Sequence, residues 1–296
     1  MVRYKGTDQL LVRFLPFFES QYGSKPSGAY TVRTLGYVTE LTPQFDPELT
    51  AIHALRNTNP GQAVKLLSKR KSVRLRLQWI QPTLTYYLQS ELFSDGDNIY
   101  LLARVYRDAS NYFFIDVTGL KCNVLTISSS IGEPIQWTMD MIGKAMDTPA
   151  APPGTPTYED DPTGDPWLWK DAYIQYDSGG GLTLFPDVTD FELRIEFGLK
   201  PVFVFNSGGS LELTALEQTV IKPTARITCN LQSEAQLDWL LGLTEVDLKL
   251  VLPDSKYIIL NDGKFRAVEP TLKPEDLLAQ RLEFEAKSWT HNFTNP

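Results

Sequence analysis

Apolar and polar side chains alternate along much of this chain, and the alternating segments return a second time in the same order. Val73, Leu75, Leu77 and Trp79 alternate with Arg74, Arg76 and Gln78; Ala225, Ile227, Cys229 and Leu231 alternate with Arg226, Thr228 and Asn230, at an offset of 152. Period-two alternation marks a strand with one buried and one wet face. Val38-Thr39-Glu40-Leu41 matches Val188-Thr189-Asp190-Phe191 at an offset of 150. Ser110-Asn111-Tyr112-Phe113-Phe114-Ile115 matches Ser255-Lys256-Tyr257-Ile258-Ile259-Leu260 at 145, each after a turn-like Asp (Asp108, Asp254) and before a Gly (Gly119, Gly263). Both read as hairpins. Met139-Asp140-Met141 with Lys144 matches Leu282-Glu283-Phe284 with Lys287 at 143. Ordered matches at nearly constant spacing predict a tandem duplication.

Each unit reads as strand, long loop, strand, short helix, hairpin, loop, strand. The helix candidates are Thr83 to Phe93 and Ser233 to Gly242; in the second, Ser233 stands at a capping position, Leu237, Leu240 and Leu241 share a face, and Gly242 sits where helices stop. The predicted fold class is mainly β: two tandem small β-barrel or β-sandwich domains, each with a short flanking α-helix. Asp147 to Pro166 holds six prolines, two glycines and five acidic residues, the composition of a linker or extended strap. The expected boundaries are an arm at 1–30, domains at 31–146 and 167–290 around a linker at 147–166, and a tail at 291–296.

A length of 296 residues, with 42% hydrophobic and 22% charged side chains, suits two globular cores. No apolar run reaches the roughly 20 residues that cross a bilayer. Leu10 to Phe18 is interrupted by Arg13 and is followed by no small-residue cleavage site, so no signal peptide is expected. The net charge of −8 is uneven: residues 1–148 hold 16 basic and 13 acidic side chains (+3), the remainder 12 and 23 (−11). A basic nucleic-acid reader shows the opposite bias.

Candidate chemistry is sparse, and no catalytic, cofactor-binding or metal-binding residue is expected. His53, placed in a loop, and His291 have no metal-ligand spacing. Cys229, taken as the counterpart of Leu77, and Cys122 fall on apolar strand registers and read as core thiols, too few for a disulfide framework. Gly179-Gly180-Gly181 and Gly208-Gly209 lack the Lys-Ser/Thr of a phosphate loop. Glu159-Asp160-Asp161 with Asp165 has the composition of a calcium site but not its regular spacing. Lys65, Lys69, Arg70, Lys71, Arg74 and Arg76 form a basic stretch without an intervening acid. It reads either as a solvated loop or as a contact; the acidic second half favours an acidic surface on another subunit over nucleic acid.

Thr118-Gly119-Leu120-Lys121-Cys122-Asn123-Val124-Leu125-Thr126-Ile127, then Gly132-Glu133-Pro134-Ile135 and Met141-Ile142-Gly143-Lys144, resembles the closing strands of phage tail tube proteins. Asp187 to Phe197 with Leu199-Lys200-Pro201-Val202-Phe203 is similar to that family's strand before the loop that reaches a neighbouring ring; in the first copy Gln44-Phe45-Asp46-Pro47-Glu48 departs from it. The resemblance implies a virion tail protein, synthesised in the host cytoplasm, that self-associates into stacked rings. It implies contacts with tape measure, baseplate and terminator proteins, and double-stranded DNA passing through the lumen without sequence-specific binding. Two domains per chain would make three chains a ring. The resemblance and the basic stretch nominate Lys65, Lys69, Arg70, Lys71, Lys200, Pro201, Val202 and Phe203 as inter-subunit contacts. An acidic lumen would repel DNA phosphates.

Two other readings stay open: a baseplate or tail-terminator ring on the same fold, and a carbohydrate-binding or enzymatic β-sandwich using Trp167 and Trp169. The last lacks the paired carboxylates a glycosidase needs.

Overall fold

The computed structural model describes residues 10–15, 22–46, 49–53, 63–68, 70–82, 99–106, 112–158, 164–185, 187–205, 211–230, 244–271 and 279–293. Strands dominate. The first half contributes β1 (Leu10–Leu15), β2 (Ala29–Thr34), β3 (Tyr37–Asp46), β4 (Leu49–His53), β5 (Ala63–Ser68), β6 (Arg70–Ile80), β7 (Ile99–Tyr106), β8 (Tyr112–Ser130), β9 (Gln136–Gly143) and β10 (Ala145–Asp147). After β11 (Thr155–Tyr158) the second half adds β12 (Tyr173–Asp177), β13 (Thr183–Leu184), β14 (Val188–Glu196), β15 (Leu199–Phe205) and β16 (Leu211–Gln218). It ends with β17 (Lys222–Asn230), β18 (Val246–Val251), β19 (Tyr257–Thr271), β20 (Ala279–Glu285) and β21 (Ser288–His291).

One pairing order occurs twice. β1 pairs with β2 and β7, β3 with β6, β4 with β5, β6 with β9, and β8 with β7, β9 and β10. β12 pairs with β13 and β18, β14 with β17, β15 with β16, β17 with β20, and β19 with β18, β20 and β21. The irregularities recur too: Thr39 and Thr189 are skipped in the pairing to β6 and β17, and Asn123 and Arg266 in the pairing to β9 and β20. Gly119 and Asp262 take the same left-handed conformation, φ 64° and 50°, where the long strands turn from one sheet into the other.

These registers correct two of the offsets read from alternation. Val38 pairs with Trp79 and Val188 with Cys229, so β6 and β17 align at 150, and Cys229 stands in the place of Trp79, not Leu77. Leu120 pairs with Ile99 and Gly263 with Val246, so β8 and β19 align at 143 rather than 145. A two-residue slip leaves every side chain on its own face, so alternation cannot see it.

The sheets are layered as a sandwich, and the barrel alternative is corrected: they do not close. One sheet runs β3, β6, β9, the 121–130 half of β8, β14, β17, β20 and the 264–271 half of β19. Its buried face meets β7, β18 and their neighbours across one continuous core that includes Leu77, Trp79, Leu101, Ile127, Trp137, Ile195, Leu248 and Phe284. Tyr30, Val32, Tyr100, Leu102 and Phe114 form a second cluster on the far side of β7. Both helix candidates, Thr83 to Phe93 and Ser233 to Gly242, lie outside the described residues, as does Glu159-Asp160-Asp161.

The described residues between the halves are laid down against the first half. β11 adds in parallel to β2, the Tyr30 hydroxyl donates to the Pro153 carbonyl (2.5 Å), and the Tyr37 hydroxyl to that of Gly164 (2.6 Å). This is an extended strap: its prolines exclude a helix but tolerate an edge strand. Leu10–Leu15, placed before the first repeat by sequence, runs along β7 as β12 runs along β18.

Candidate assembly surface

The large sheet has one buried and one polar face because its strands alternate. On the polar face Arg226 of β17 lies 3.6 Å from Glu192 of β14 and 3.3 Å from Glu283 of β20, an ion-pair ladder across three strands. Arg266–Glu285 (2.6 Å) and Arg194–Glu196 (2.8 Å) extend it. Each exposed pair contributes at most about 1 kcal/mol. Signs are interleaved here, so this face is mixed in charge rather than uniformly acidic. It carries depressions: one is lined by Ser128, Ser130, Gln136, Glu192, Arg226 and Arg281. A second is lined by Thr42, Arg74, Arg76 and Asp140.

The two halves meet inside this sheet. β14 pairs antiparallel with β8 from Asp190↔Ser130 to Glu196↔Val124 without a slip. The Ile131 N–H donates to Thr189 O (3.0 Å), the Phe197 N–H to Asn123 O (2.8 Å) and the Leu199 N–H to Asn123 Oδ1 (3.2 Å). Leu125, Ile127, Leu193 and Ile195 are buried beneath the joint. At the two ends of the sheet, β3 pairs only with β6, and the 264–271 half of β19 only with β20, among the described residues. Phe45 on β3 is 48% exposed, whereas Ile195, in the same place on β14, is fully buried.

A second bridge joins the halves. The β15–β16 hairpin pairs in parallel with the start of β6, Leu211 beside Arg70 and Glu212 beside Lys71. It sets Leu211 and Glu212 of the hairpin beside Arg70 and Lys71 of the predicted basic stretch. Lys200, Pro201, Val202 and Phe203 lie on β15, with Lys200 opposite Glu217. Lys65 is on β5, not in a loop, and Lys69 lies outside the described residues. An acidic residue beside the basic stretch is thus supplied by this chain's own second half.

Other candidates resolve into packing. Cys122 and Cys229 are buried, and burial pushes both thiols up, Cys229 to about 11. His53 ends β4 instead of sitting in a loop. His291, on β21, is half-buried against Trp289 and Phe293, and burial lowers its pKa. Trp167 is buried and Trp169 packs edge-on against Phe191, so they form no exposed stacking platform. No group of three potential metal ligands occurs among the described residues, and no helix there is long and apolar enough to cross a membrane.

What sequence reading missed is the open ends of the sheet. The available signal was proline within alternating segments, at Pro43 and Pro270, since proline inside a strand marks an edge.

A family model described as phage tail tube protein matches residues 19–286. The chain is similar to a chain in the tail of an empty gene transfer agent particle, at 16% identity and a TM-score of 0.33, over 43% of this chain and 97% of that one. It is similar to one in the native gene transfer agent virion at 15% identity and a TM-score of 0.33, with the same coverage. The SPP1 tail tube is matched at 12% identity and a TM-score of 0.33, over 44% of this chain and 80% of that one. No curated protein matches the chain.

Proposed function

This chain belongs to the phage tail tube protein family and has a structural role in a virion tail, and from that premise we propose that three copies close into a ring of six similar units. The single observation behind the number three is the strand-pairing order, which runs through the chain twice. Rings stack into a hollow tube, and the tube is the conduit for DNA, which passes without sequence-specific binding. The polar face lines the lumen: its interleaved charges offer a phosphate backbone no continuous basic track to stick to. Tape measure, baseplate and terminator proteins meet the tube at its lumen and ends, and no catalytic step is assigned to the chain, which is made in the host cytoplasm.

The domain limits follow the pairing order, with β1 to β10 in the first unit, β12 to β21 in the second and the strap between them. Within a ring, the hairpin carrying Lys200, Pro201, Val202 and Phe203 seats on the basic stretch of the preceding unit, and Lys65, Lys69, Arg70 and Lys71 serve that contact.

Negative-stain microscopy of concentrated purified protein tests the reading. Hollow tubes with threefold rings are expected. A persistent monomer would overturn it, and single rings that never stack would move the protein to a baseplate or terminator position. Reversing Lys69, Arg70 and Lys71 to Glu is expected to impair assembly.

A further inference from the structure

The joint between β8 and β14 has a missing twin. At an offset of 150, β3 is the counterpart of β14; at 143, the second half of β19 is the counterpart of the second half of β8. The chain therefore joins one such pair internally and leaves the other pair at its two ends. Carrying the internal register across by these offsets sets Thr42 opposite Thr271, Pro43 opposite Pro270, Gln44 opposite Glu269, Phe45 opposite Val268 and Asp46 opposite Ala267. Two exposures mark the empty places. Phe45 is 48% exposed where Ile195 is covered, and Val220 is 64% exposed where its counterpart by the same offset, Arg70, lies beside β16. A pair of open, complementary edges on one chain closes most simply by head-to-tail addition of a second copy.

Resting on the ring reading above, we infer that β3 of one copy pairs antiparallel with residues 267–271 of the next copy's β19 in that register. The geometry also says how strong this joint is. On β14 the Phe197 N–H and the Thr189 carbonyl reach β8 while the Arg194 carbonyl accepts from the Thr224 side-chain hydroxyl of β17, so alternate residues Leu193 and Ile195 turn their backbone toward β8. Leu193 lies opposite Ile127 there, and the two exchange both bonds of that pair. Their counterparts at the open edges are Pro43 and Pro270, which have no N–H to give. The internal joint is complete, and the outward joint lacks a hydrogen-bonded pair at its centre. A free subunit thereby presents blunted edges to wrong partners, and ring closure depends on the side chains that cover Phe45.

The test is a disulfide at a position where the two chains do not exchange hydrogen bonds, because Cα atoms there lie about 4.5 Å apart, within disulfide reach. Gln44→Cys with Glu269→Cys is expected, after oxidation of assembled protein, to give covalent dimers and trimers and nothing larger. The native thiols are buried and stay silent. Gln44→Cys with Val268→Cys places the thiols on opposite faces and is expected to give none. Assembled tubes that link through Gln44→Cys with Thr271→Cys instead, or not at all, would overturn this joint while leaving the tube standing. Failure of the unmodified protein to assemble would overturn the ring reading itself. A ladder beyond the trimer would keep the joint and remove the number three. Replacing Pro43 by Leu and Pro270 by Ile, as at the internal joint, is expected to lower the concentration needed for assembly about tenfold; no change would refute the blunting.

Discussion

At the residue scale Asp116 is the buried charge among the described residues, 1% exposed, 2.8 Å from Lys25 Nζ and accepting from the Tyr100 hydroxyl at 3.2 Å. Burial lowers the Lys25 pKa, but hydrogen bonds and charge from Asp116 and Asp147 outweigh it, and the net shift is upward. A raised lysine contributes stability that is complete below its unfolded value near 10.5 and disappears as pH climbs through the higher folded value. Lys25→Met is expected to cost about 1–3 kcal/mol at pH 8, as for other buried acceptors stripped of a donor. Denaturant titrations from pH 8 to 11.5 are expected to show the two proteins converging at the alkaline end. Sequence gave no hint of this site, because Lys25 and Asp116 are 91 positions apart and only folding brings them together. The cysteines were legible, since both stand in apolar alternation. Native protein is expected to exclude a thiol reagent and to titrate two thiols only when unfolded.

At the scale of elements, β8 and β19 each pass from one sheet to the other at a left-handed residue. A Cβ on Gly119 would come within 2.9 Å of Lys144 Cβ and 3.0 Å of the Tyr22 ring. Gly119→Val is therefore expected to destabilise by about 2–3 kcal/mol, whereas Asp262→Gly, which relieves a φ of 50°, is expected to be neutral within about 1 kcal/mol. Thermal melts separate the two. Period-two alternation revealed the strands and the order in which similar segments recur. It left registers uncertain by two, because only partner strands fix them, and it could not mark the open edges, because an edge strand and a central strand alternate alike.

At the scale of the whole molecule, the internal joint and the open ends predict opposite responses to truncation. Ile195→Ala removes buried volume from a closed joint and is expected to cost about 2–4 kcal/mol in the isolated chain. Phe45→Ala is expected to cost under about 1 kcal/mol there, yet to raise the concentration needed for assembly. Comparing melts with sedimentation under the same buffer distinguishes stability from association. The sequence pointed to the family and to a recurring order of segments, and it placed the contacts on the basic stretch and on Lys200 to Phe203; the open sheet edges went unread, although Pro43 and Pro270 marked them.

The internal joint also constrains arithmetic. On the ring reading proposed above, each chain delivers two adjoining units paired through β8 and β14, and a closed ring then holds only an even number of them. A tube wall built this way cannot gain or lose a single unit, so the errors that would yield five- or seven-unit rings are removed by covalent connectivity before assembly begins.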